Sequence, residues 1–201
     1  MNEWLPGIFT WSWHSERHGY DFNGWLVVHP AGNILIDPVQ ADDSTVDAIS
    51  AHGVRTILLT NRNHGRISAR LRERTGAKVL IHSADRAHVE SQGSVVDGVI
   101  SAGDRVGPFV AVAASGKSAG ELAFHWPERR LLVIGDACVG APPGSLRLLP
   151  PAVIDDLAGV RDSLRAIARD VDFDTLLLGD GASFVTGGRA ALQQLVGTFE
   201  V

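Results

Sequence analysis

Apolar and polar positions alternate along the first forty residues, which is the pattern of a strand meander. From Phe9 to Trp13 the alternation has the period of two expected of a half-buried strand, so residues 8–13 are predicted as one. Residues 21–28 and 33–37 are predicted as two more, joined by the turn sequence Pro30-Ala31-Gly32-Asn33. The third is the most apolar and ends in Asp37. Four of the five tryptophans fall in this region and read as core and rim packing rather than a ligand cage.

The pattern then changes to short apolar runs separated by amphipathic stretches. Residues 42–51 read as a helix capped by Asp42, Asp43 or Ser44, and 54–60 as a strand. Residues 67–75 read as a helix stopped at Gly76, 78–82 as a strand, and 83–90 as a helix with Ser83 as its cap. This order predicts a layered α/β arrangement with some parallel pairing.

After Ser94 the glycine-separated strands return. They are predicted at Val95-Val96, 104–106, 109–112, 121–126 and 131–134. A stripe of Val153, Leu157, Val160, Leu164, Ile167 and Ala168 at spacings of three and four predicts a long helix. A buried strand at 176–178 and a last helix at 189–197 follow. Each half thus opens with meandering strands and closes with strand–helix units. The length suits one domain or two closely packed halves.

Composition narrows the function. The net charge is −5, and the sixteen arginines are spread over helices, with Lys78 and Lys117 the only lysines. No basic stripe exists for nucleic acid to follow. No apolar run approaches the roughly 20 residues of a membrane span, and no signal sequence is visible. The single cysteine, Cys138, fits a reducing compartment, so a cytoplasmic location is expected.

Chemistry concentrates where strands end in polar loops. The loops are 60–66, 115–120, Gly135-Asp136 and Gly179-Asp180-Gly181. The first carries Asn61, Asn63, His64 and Arg66, and the second carries Lys117, with Glu121 just after it. Asn61 and Asn63 suit helix capping or ligand binding, with Asn63 the better placed to cap. Lys117 is expected to pair with Asp136, and Glu121 either orients Lys117 or makes a surface pair. Cys138 would need an activating base to act as a nucleophile, and by motif only His64 is near.

The order and spacing of these segments resemble the metallo-β-lactamase superfamily over nearly the whole chain. The resemblance rests on Asn33-Ile34-Leu35-Ile36-Asp37, Ile57-Leu58-Leu59-Thr60, residues 71–79, Ala119-Gly120-Glu121, Leu132-Val133-Ile134-Gly135-Asp136-Ala137 and Leu178-Gly179-Asp180-Gly181. It implies a single domain over residues 1–201, folded as a four-layer αββα sandwich with two facing sheets. It also implies a hydrolase, with a homodimer open to it. The family's first motif is Thr-His-x-His-x-Asp-His. Laid on this chain from Thr60, its ligand positions fall on Asn61, Asn63, Gly65 and Arg66. The next ligand position falls on Lys117, the bridging aspartate on Asp136, and the last histidine on Asp180.

Three readings follow. In the first, a hydrolase of a small ester, lactone or thioester works through His64, Asp136, Asp180 and Lys117. Its metal is at most one ion (zinc, manganese or iron) on His64, Asp136 and Asp180, with Asn61, Asn63, Arg66 and Glu121 binding the ligand. In the second, a metal-free pocket binds a small anion, and Arg66 and Lys117 supply the charge that metal supplies in the family. In the third, exposed tryptophans make the chain a partner-binding domain.

Overall fold

The structure, a computed structural model, describes residues 1–199. The chain divides into two compact units, residues 1–100 and 101–201.

The first unit is a seven-stranded sheet whose strands lie side by side in chain order. They are β1 (Asn2–Leu5), β2 (Ile8–Ser15), β3 (Tyr20–Val27), β4 (Asn33–Ile36), β5 (Val54–Leu58), β6 (Lys78–Ile81) and β7 (Gly98–Val99). The first four pair antiparallel; β4 to β7 pair parallel. Parallel neighbours need crossovers, supplied here by α1 (Asp43–Ala51), α2 (Ser68–Thr75) and α3 (Ser83–Ser91). Leu35, Ile57 and Val79 of the sheet pack with Val46, Leu71 and Val89 of the helices. Each such buried side chain contributes roughly 1.5–3 kcal/mol. Asp97 ties the layers together: it accepts both Arg72 guanidinium hydrogens and the Val79 N–H. The Arg72 hydrogen bond, with the backbone bond behind it, lowers the Asp97 carboxyl to about 2.

The second unit is a five-stranded sheet in the order β12-β11-β10-β9-β8. Its strands are β8 (Arg105–Val106), β9 (Phe109–Ala113), β10 (Leu122–Trp126), β11 (Leu131–Ile134) and β12 (Thr175–Leu178). Only β11 and β12 pair parallel. Helices α4 (Leu157–Asp170) and α5 (Gly188–Gly197) cover one face, with Val160, Leu164, Ile167 and Leu192 packed on Leu132, Ile134 and Leu176. The Asp156 side chain caps α4 by accepting the Gly159 N–H.

Several expectations need correcting. Strand β1 went unread, because its exposed and half-buried residues lack apolar alternation. Val95-Val96 is not a strand. Val153 lies in a 3-10 turn outside α4 and is 50% exposed, despite its helical spacing. The cap of α3 is His82, whose Nδ1 accepts the Ala84 N–H, so Ser83 is the first helical residue instead. Trp11 and Trp25 are buried as expected, but Trp13 is exposed. No helix of the described residues is long and apolar enough to cross a membrane.

Candidate functional site

In the first unit the site loop leaves β5 and is fixed by two buried aspartates. Asp37, at the end of β4, accepts the Thr60 N–H at 2.8 Å and the Thr60 hydroxyl at 2.6 Å. Its Oδ2 also lies 2.8 Å from His64 Nδ1. Asp85 of α3 accepts the Arg62 N–H at 3.0 Å. Sequence reading missed this role because the contact spans 23 residues and an aspartate in a first helical turn reads as ordinary.

The Asp37 contact decides which nitrogen of His64 carries the hydrogen. A bare Nδ1 would face a carboxylate oxygen lone pair to lone pair, which repels. Thr60 Oγ1, whose own hydrogen goes to Asp37, also lies 2.9 Å from Nδ1, so Nδ1 carries the hydrogen and the ring's lone pair sits on Nε2. A carboxylate holding an imidazole in this way is the arrangement that commonly supports a histidine metal ligand. Asp37 (φ 50°) and Arg66 (φ 35°) are both in the left-handed region, which costs a non-glycine residue energy and is commonest at functional sites.

Asn63 does not cap α2. Asn61 Oδ1 accepts the Asn63 N–H at 2.8 Å in a local turn, and the helix begins only at Ser68, with no side-chain cap. At Gly65 an added Cβ would lie 3.2 Å from Ser94 Oγ and 3.3 Å from Val89 Cγ1, so a side chain there requires these neighbours to shift. The Arg66 guanidinium lies 4.9 Å from the Phe22 ring centroid, in cation–π range.

In the second unit Lys117 Nζ lies 3.2 Å from Asp136 Oδ2, as expected, and both are buried. A carboxylate oxygen of Asp136 and one of Asp180 lie within 4.8 Å of each other. The loop presenting Lys117 is rigid. The carbonyls of Ser115 and Gly116 accept from Ser163 Oγ and Asp156 N, both at 2.8 Å. Gly116 is obligatory, since at φ 136° a Cβ would sit 2.2 Å from Val160 N.

Glu121 is buried, not a surface residue, and its Oε1 accepts the N–H groups of Asp136 at 2.7 Å and Ala137 at 3.0 Å. These hydrogen bonds position Asp136, and burial removes the surface-pair alternative for Glu121. Cys138 is no nucleophile: burial, and secondarily the charge of Glu121, push its thiol far above the usual range.

Within this unit Lys117 and the two aspartates act on one another at short range. At an effective dielectric of about 20, Lys117 attracts Asp136 by about 5 kcal/mol before desolvation, while Asp180 repels Asp136 by about 3.5 kcal/mol. Asp136, Asp180 and Glu121 are all buried, and Lys117 is paired with Asp136.

The sequence model of the metallo-beta-lactamase superfamily matches residues 3–199. The chain belongs to this superfamily, and its α/β fold is of the metallo-β-lactamase type. No curated protein matches it. Among solved structures it is similar to a metallo-beta-lactamase from Pontibacter korlensis, with 13% identity, a TM-score of 0.79 and 98% of each chain covered. A metallo-beta-lactamase family protein from Thermus thermophilus is 17% identical, with a TM-score of 0.71 over 96% of this chain and 79% of that one. TTHA1623, solved in a di-iron-bound form, is 21% identical, with a TM-score of 0.69 over 90% of this chain and 96% of its own.

Proposed function

We propose that the chain is a hydrolase of a small ester, lactone or thioester, whose site takes one divalent cation on His64, Asp136 and Asp180. The observation that carries this reading is the Asp37–His64 contact at 2.8 Å, which turns the ring so that Nε2 offers the lone pair. Among the described residues, His64, Asp136 and Asp180 are the one group with the chemistry to hold a metal ion, and all three are buried.

The residues present do not fit a two-metal centre. Glycine at 65 offers no donor. A protonated Lys117, salt-bridged to Asp136, cannot coordinate. They do fit one ion: an imidazole with two carboxylates suits zinc, manganese or iron. Such an ion, when bound, supplies Lewis acidity and a more acidic water. Lys117, held rigidly, donates to the oxygen on which negative charge develops. Asp180, binding the ion through one oxygen, would leave the other to accept a proton from water, and Glu121 keeps the Asp136 backbone in place. Asn61, Asn63 and Arg66 would contact the substrate's polar groups.

The Lys117–Asp136 ion pair favours a second reading. In it Lys117 and Arg66 supply the charge that metal supplies elsewhere in the family, and the pocket binds a small anion through them and Asn61 without catalysis. A panel of short-chain esters, lactones and thioesters assayed with added zinc, manganese or iron separates the two. The hydrolase reading expects turnover that falls at least about 100-fold in Asp180→Asn. Binding of small carboxylates or phosphate without turnover of any member supports the second reading instead.

A further inference from the structure

The two aspartates of the site follow neighbouring parallel strands, and a backbone clamp joins the segments that carry them. The ladder of β11 and β12 runs up to the Ile134–Leu178 pair, and the Gly179 N–H still donates to the Ile134 carbonyl at 2.9 Å. Residues 135–139 then leave the ladder, carrying Asp136, while the chain after β12 passes directly to Asp180. The two segments meet again at Gly140, which bridges in parallel to Gly181. The Gly140 N–H donates to the Asp180 carbonyl at 3.0 Å, and the Gly140 carbonyl accepts the Ala182 N–H at 2.8 Å. Asp136 and Asp180 thus stand in one backbone frame, pinned at Ile134 on one end and at Gly140 on the other.

Each arm of the frame has its own anchors. Glu121 Oε1 holds the Asp136 and Ala137 N–H groups, and Val139 exchanges two backbone hydrogen bonds with Arg147. On the other arm Ser183 Oγ accepts the Leu178 N–H at 2.9 Å, and Phe184 exchanges two backbone bonds with Leu176. No side chain fits where the arms meet. A Cβ on Gly140 would lie 2.1 Å from the Ala182 carbonyl oxygen, and one on Gly181, at φ 79°, would lie 2.4 Å from the Gly140 oxygen. These obstructions are backbone, which cannot swing aside as the end of a side chain can. Real Cβ atoms essentially never come within 3.0 Å of such a neighbour, so a side chain at 140 forces the arms about 0.9 Å apart.

We infer that Gly140 is a positioning residue that sets the gap between the Asp136 and Asp180 carboxylates, and with it the size of ion that the site accepts. The inference rests on the one-ion reading of the site. Oxygens of the two carboxylates lie within 4.8 Å of each other. Two oxygens on one zinc ion, each about 2.0–2.2 Å from it, stand at most about 4.4 Å apart. Parting the arms by 0.9 Å is a large share of that span. It costs zinc more than cadmium, a larger ion of the same charge whose longer bonds reach across a wider gap.

The test titrates the full chain, stripped of metal, with zinc and with cadmium, each against a chromogenic chelator. In Gly140→Ala zinc affinity should fall at least about tenfold, and the ratio of zinc to cadmium affinity should fall with it. Ser183→Ala loosens the same turn without a clash, by removing the acceptor of the Leu178 N–H, and should lower the ratio by a smaller factor. Leu192→Ala opens a cavity under α5 instead and should leave the ratio within about twofold of wild type. Hydrogen exchange on the metal-free wild type needs no variant: the Gly140 and Ala182 amides should be protected before any metal is added. A ratio unchanged in Gly140→Ala while wild type binds zinc, a ratio that Leu192→Ala shifts as much, or unprotected amides at 140 and 182 overturns this inference alone. A wild type that takes up neither ion overturns the one-ion reading, and this inference with it.

Discussion

Asp37→Ala destabilises the fold by about 3–5 kcal/mol, the usual cost of removing one partner from a buried polar network. The wild-type carboxylate satisfies the Thr60 N–H and hydroxyl and holds His64 Nδ1, all in a region closed to solvent. Alanine leaves the Thr60 N–H and hydroxyl facing a cavity, and His64 Nδ1 keeps only the Thr60 oxygen at 2.9 Å. It also gives the left-handed backbone at 37 (φ 50°) to a residue less tolerant of it than aspartate. Equilibrium urea unfolding measures the loss, and a change below about 1 kcal/mol would mean that Asp37 is not the anchor of the loop. Asp37→Asn separates anchoring from chemistry. The amide oxygen can still accept from Thr60, but it no longer holds the imidazole by charge. Metal affinity should then fall about 10–100-fold, with a smaller loss of stability.

Lys117→Ala has the second large effect, a loss of about 3 kcal/mol or more. It leaves Asp136 and Asp180, within 4.8 Å of each other, without the ammonium that offsets their repulsion. The diagnostic feature is rescue. A divalent cation should restore stability to this variant by a larger margin than it adds to wild type, because the ion takes up charge that Lys117 had covered. Thermal unfolding with and without manganese or zinc checks this. A variant as stable as wild type, or one indifferent to metal, would show that Lys117 is not standing in for a cation.

Much of the scaffold was legible because burial writes itself as period. The runs ending in Asp37, Asp136 and Asp180 sit where apolar strands stop. The stripe from Val160 to Ala168 became the inner face of α4. What could not be read depended on contacts distant in sequence or on atoms that pattern does not record. For Glu121 the sequence leaves a surface pair open beside a role at Lys117, because nothing local says that its carboxylate accepts the backbone of residues 15 and 16 positions away. His82 was passed over as a cap because imidazole is a rare acceptor there, while serine is a common one. β1 carries no apolar alternation; besides its pairing to β2, Glu3 Oε1 holds the turn by accepting the Gly7 N–H at 2.8 Å. The candidate site residues are read from position alone, at strand ends. The tautomer of His64 needed coordinates, since it follows from where Nδ1 lies against Asp37 and Thr60.

The proposed hydrolase depends on a site that takes one metal ion, with Lys117 supplying a further positive charge beside it. Elemental analysis of protein purified without chelator tests it most directly. The account predicts about one equivalent of zinc, manganese or iron per chain, lost in His64→Ala and in Asp180→Ala while both variants stay folded. Two equivalents per chain, or none retained even after incubation with each metal, would contradict it.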